Sequence, residues 1–150
     1  MADDKQSVEA LQYQVIASRR QGTDSMMWQV PVLSLTAQAF LFTIALAPGA
    51  SRAAQIVAAG LALVASVTSI QLMAKHRFHE LADSKWLEVF ELTRKAQGFV
   101  PIHARPPRPE GSGLWSRFVR LSSYRVWLFG LVIFALAACL ILACPGWIDP

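Results

Sequence analysis

The sequence predicts an all-α integral membrane protein with three transmembrane helices: a hairpin of two, a tethered third, and a long cytoplasmic extension of the second. Three observations carry this. Apolar residues make up 54% of the 150-residue chain and charged residues only 16%, against roughly 25% charged in an ordinary soluble domain. The charges are blocked, so that three stretches carry none. Each stretch is close to the ~20 residues that cross a ~30 Å hydrocarbon core at about 1.5 Å per residue.

The chain opens with a cytoplasmic amphipathic helix within 1–22. Val8, Leu11, Val15 and Ile16 recur at helical spacing over Ser7 to Arg20. Gly22 is expected to break it, with Thr23 or Asp24 capping the helix that follows. The first span runs from Gln29 to Ala47 and carries Ser34, Thr36, Gln38 and Thr43. Pro31 lies in its first turns, where a missing N–H costs little. Ala45-Leu46-Ala47 looks like a cleavage site, but Pro48 follows it directly and the apolar run starts late, which argues against a signal peptide.

A short Pro48-Gly49 turn leads into the second span, Ala53 to Ala74. Neither Gly nor Pro occurs from Leu61 to Gln97, so the helix is expected to continue as a stalk. A helix from Ala54 to Gln97 would be about 66 Å long, roughly twice what the hydrocarbon core needs. The hairpin and stalk together span 23–97. Phe78, Ala82, Trp86, Val89 and Thr93 share one stalk face, with Phe90 beside them. That apolar face should be buried, against the N-terminal helix or a second copy of the chain.

Residues 98–113 form a linker, with four prolines within nine residues and then Gly-Ser-Gly. Residues 114–150 hold an interfacial helix and the third span, Val126 to Cys144. Trp115, Arg117, Arg120, Tyr124, Arg125 and Trp127 are its interface anchors, aromatic rings and cations at headgroup depth.

Lys and Arg counts set the orientation. Three lie before the first span, one in the Pro-Gly loop, ten from Lys75 to Arg125 and none after Cys144. Positive-inside bias places the N-terminus and long loop in the cytoplasm and the C-terminus outside, in a cell inner membrane. The net charge of +4 therefore serves lipid and orientation, and no nucleic-acid surface is expected.

Ser34, Gln38, Leu41 and Ala45 form a polar-tinged row on the first span. Gln55, Ala59, Ala62, Ser66, Ser69 and Met73 form a heptad seam of mostly small residues on the second. Two readings compete for Ser34, Gln38, Gln55, Ala59, Ala62, Ser66 and Ser69: they tie the hairpin together, or they line a path in an oligomer. No Asp, Glu, Lys or Arg lies within a span, so nothing supports a proton relay or voltage sensor. His76, His79 and Glu80 lie within one helical turn, but the order is not His-Glu-x-x-His, and interfacial solvation explains them better than a metal. No phosphate loop, nucleophile elbow or catalytic carboxylate pair occurs. The chain is expected to be no enzyme, with no catalytic, cofactor-binding or metal residues and no cofactor.

From Ser7 to Gln97 the layout resembles the two-transmembrane SLATT effector modules of bacterial nucleotide-signalling defence systems. These have an N-terminal helix, a tight hairpin and a long extension of the second span. The string Trp28-Gln29-Val30-Pro31 through Thr36-Ala37-Gln38-Ala39-Phe40 also resembles uncharacterised actinobacterial multi-spanning membrane proteins. The resemblance covers about 90 residues and implies an oligomer that perturbs the inner membrane when triggered. The expected function is that of a small, self-associating, non-enzymatic inner-membrane protein, pore-forming or membrane-perturbing. The alternative is an accessory or scaffold subunit that binds a cytoplasmic partner through its stalk and linker.

Overall fold

The computed structural model describes residues 2–98, 100–103 and 121–144. These residues are helical almost throughout, with no strand among them. Helix α1 spans Ala2–Ala45, α2 spans Arg52–Thr93, and a short 3-10 turn covers Lys95–Gln97. Helix α3 spans Ser123–Ala143. All three α-helices are long and apolar enough to cross a membrane.

The first correction concerns Gly22. Helix α1 runs unbroken through it for 44 residues, so the N-terminal amphipathic segment is not a separate helix. A lone glycine inside a helix costs only about 1 kcal/mol relative to alanine. A continuous backbone ladder and cross-helix contacts at Tyr13 and Arg19 outweigh that. Pro31 also lies inside α1, fully buried. Its ring nitrogen leaves the carbonyl four residues earlier without a helical donor.

The α1–α2 turn is built as its sequence suggests. The Ala50 N–H donates to the Ala47 carbonyl at 3.0 Å, closing a four-residue turn around Pro48 and Gly49. Gly49 has φ +74°, which that corner needs and other L-residues adopt at a cost. The Ser51 hydroxyl accepts from the Ala54 N–H at 3.2 Å and caps the start of α2. At the far end Gly98 takes φ +89° and donates its N–H to the Lys95 carbonyl, which stops the helix.

The described chain divides into two compact units. The first joins the N-terminal part of α1, up to Met27, with the chain from Lys75 onward through the second half of α2. The second joins Trp28–Ala74, the hairpin, with α3. In the second unit α3 packs through Leu131, Ala138 and Ile141. Ile141 joins Ala45, Ala58 and Ala59 in one cluster with Phe42 and Leu142 against it. The Phe42 and Phe134 rings lie 5.8 Å apart. The third span is thus a packed partner of the hairpin as well as an apolar rod.

Most of residues 98–113, the expected interfacial helix up to Arg120, and the expected anchors Trp115, Arg117 and Arg120 lie outside the described residues. Of the remaining anchors, Tyr124 and Trp127 are half-buried and Arg125 is exposed.

Candidate functional site

Each unit encloses its own row of polar side chains. In the second unit the row is uncharged. Ser34, Gln38, Gln55 and Ser66 are buried, with Ala59 and Ala62 beside them; Ser69 is half-buried. The Gln38 Nε2 donates to the Ala62 carbonyl at 2.9 Å and to the Ser66 Oγ at 2.7 Å. Alanine at 62 allows that approach, because no longer side chain stands between the amide and the backbone. Large apolar side chains of these helices, among them Leu33, Phe40, Leu61 and Val64, are exposed.

The threonines of the same helices hide their hydroxyls locally. Thr36 donates to the Val32 carbonyl, Thr43 to the Ala39 carbonyl and Thr68 to the Val64 carbonyl, each within 3.0 Å. This four-residue back-bond satisfies an outward-facing hydroxyl without water.

In the first unit the enclosed row is acidic. On α2 the buried residues are Glu80, Asp83, Leu87 and Glu91. They recur at steps of three and four, the spacing of a core stripe. Asp83 pairs with Arg19 from α1, Glu9 with Arg94, and Glu80 with Arg77 on its own helix. The Arg19 guanidinium is held above its ordinary range by hydrogen bonding and attraction from Asp83, against a smaller desolvation effect.

Glu91 is the centre of this row, with 0% of its surface exposed. It accepts from the Tyr13 hydroxyl at 2.7 Å and from the His103 backbone N–H at 3.0 Å. The His103 Nδ1 lies 2.5 Å from the same carboxylate. An ionised carboxylate only accepts, so this arrangement places the proton on Nδ1. Burial alone would push the Glu91 carboxyl up; the hydrogen bonds from His103 and Tyr13 outweigh it and hold the group below the usual carboxylate range. Burial, and then the adjacent carboxylate, push the Tyr13 phenol up to about 12. Aromatic packing completes the node. Tyr13 and Phe90 lie 5.3 Å apart, Trp86 stacks on Phe90 at 5.1 Å, and the Arg94 guanidinium sits 4.3 Å over the Phe90 ring.

Of the two covers expected for the apolar stalk face, the N-terminal segment is not the one used: within the chain that face is exposed. Phe78 is 70% exposed, and Trp86 and Val89 are exposed with it, as are Leu81 and Leu92. On α1, Val8, Leu11 and Val15 are also exposed, and only Ile16 turns half inward. The N-terminal part of α1 pairs with the carboxylate face of α2 because Tyr13 and Arg19 find Glu91 and Asp83 there, and Glu9 pairs with Arg94 just past the end of α2. An open groove beside Tyr13 and His103 is lined by Gln14, Ala17, Arg20 and Asp24.

His76 is half-buried, His79 is exposed with its ring 5.8 Å from that of Phe78, and Glu80 is engaged by Arg77. Among the described residues no group of three or more His, Cys, Asp or Glu side chains gathers as metal ligands would. Comparison with protein-family models, curated proteins and solved structures finds no match to this chain.

Proposed function

We propose that this chain is a non-enzymatic inner-membrane protein that self-associates through the outward apolar stripe of its first unit. In this reading the first unit is cytoplasmic, the three apolar helices cross the bilayer, and the C-terminus is outside. The Lys and Arg distribution supports the orientation. The observation that carries the self-association is the inverted polarity of the first unit. Its carboxylates Glu80, Asp83 and Glu91 are buried, and Phe78, Val89 and Leu92 on α2, with Val8, Leu11 and Val15 on α1, are exposed. A helix pair outside the bilayer with such a surface gains stability when that surface is covered. A second copy offers an identical stripe, and a two-fold contact buries both at once.

The test is crosslinking in native membranes. Cysteine pairs formed at Phe78 and Val89 should trap a dimer or larger assembly, and a strictly monomeric result overturns the proposal. The resemblance to membrane-perturbing effectors extends the reading to permeabilisation on assembly; depolarisation on overexpression supports that extension, and growth without depolarisation overturns it. The burial of Ser34, Gln38 and Ser66 within one hairpin favours a tie between spans over a pore wall. The second reading, an accessory subunit for a cytoplasmic protein, uses the same stripe and is favoured by co-purification of a stoichiometric partner with no toxicity.

A further inference from the structure

The interior of the second unit leaves two polar atoms without partners. The Gln38 Oε1 and the Ser34 Oγ are fully buried, and neither has a hydrogen-bond partner among the described residues. They lie one turn apart on the same face of α1, opposite the small side chains of the α2 seam.

Turning the Gln38 amide over does not solve this. The atom 2.9 Å from the Ala62 carbonyl must be a donor, because that carbonyl only accepts. The nitrogen is therefore spent on Ala62 and Ser66, and Oε1 still needs a donor. Ser34 also departs from its neighbours. Thr36, Thr43 and Thr68 bond back to their own helices, and Ser34 does not. Leaving such a group buried and unpaired forfeits its hydration with nothing in return. The missing donor must come from inside, since Gln38 is 0% exposed and neither a lipid chain nor a second copy reaches it. No ionised side chain lies within the three spans, so the occupant is neutral.

We propose that Ser34 and Gln38 form an internal hydration site that holds a water molecule between α1 and α2. The water donates one proton to the Gln38 Oε1 and accepts from the Ser34 hydroxyl. Its second proton goes to a helix carbonyl, giving the three bonds typical of a buried water. The hairpin then carries a hydrated joint in an otherwise apolar helix pair. That the joint lies at mid-depth in a bilayer rests on the membrane reading above; the hydration itself does not.

The test is solid-state NMR of the full chain in phosphatidylcholine and phosphatidylglycerol vesicles, with magnetisation transferred from water to the side-chain Cδ of Gln38. The expected result is transfer to Gln38 several times faster than to the Ala62 methyl, with a several-fold loss in Ser34→Ala. A dry Gln38 overturns the site. Fast transfer that persists unchanged in Ser34→Ala overturns the shared geometry. Transfer from lipid chains to Leu33 and Phe40 in the same sample tests the membrane reading separately.

Discussion

The two units enclose polar side chains of different kinds. The first holds Glu80, Asp83 and Glu91 between its helices, with arginines, a tyrosine and a histidine in partnership. The second holds Gln38, Gln55, Ser34 and Ser66 and no ionised group. Both turn large apolar side chains outward. Neutral amides and hydroxyls are tolerable in a helix pair surrounded by hydrocarbon, whereas ionised groups carry a much larger desolvation cost. On the proposed function, lipid covers the apolar exterior of the second unit, and a second copy of the chain covers that of the first, whose charged row is set beside water.

The largest test of this contrast is Glu91→Ala. It strands the Tyr13 hydroxyl and the His103 N–H donors, and the first unit should lose about 3 kcal/mol, since hydrogen bonds to a charged group are worth roughly 1.5–3 kcal/mol each. Hydrogen exchange over 84–93 measures it, and an unchanged opening rate would show that the node is not structural. Asp83→Ala should cost less, about 1–2 kcal/mol. Its partner Arg19 keeps a 63% exposed side chain and recovers hydration when the 5% exposed Asp83 is lost. Gln38→Leu should cost only about 1 kcal/mol, because hydrogen bonds between membrane helices are individually modest; unfolding in bicelles reads it. Phe78→Ser should change the unfolding of a single copy by less than about 0.5 kcal/mol, yet should lower the yield of the dimer trapped by a cysteine at Val89.

Titration separates the units as well. The Tyr13 phenol has a raised folded value, so the native state favours its protonated form. Its contribution is complete below the unfolded value of about 10 and is lost as pH rises toward about 12. Glu91 has the opposite sign: its lowered value gives stability present above the ordinary carboxylate range and lost as pH falls below it. Difference absorbance of the phenolate should follow Tyr13, and Glu91→Gln should remove the acid limb. The second unit should show neither limb, because its enclosed row holds no titrating group.

The polar seam of the hairpin was legible because small residues and amides stand out at heptad spacing inside an uncharged run. The charged row was harder to see. Glu80, Asp83, Leu87 and Glu91 have core spacing, but carboxylates at such positions are ordinarily assigned to the solvent side. Arg19 lies 64 residues from Asp83, and Tyr13 lies 78 from Glu91; no local pattern links them. The same distance hides the packing of Ile141 on Ala45 and Ala58.

By itself the sequence determined three apolar helices, a tight Pro48-Gly49 turn and a second helix far longer than a bilayer requires. Hydropathy, length and turn chemistry are local properties, and one chain segment expresses them without reference to another. Only the tertiary structure decided which face of the α2 extension is inside. A helix with charges on one side and large apolar groups on the other can turn either way, and the side it buries is set by its partner. Here the partner brought Arg19 and Tyr13, and Asp83 and Glu91 turned inward to meet them.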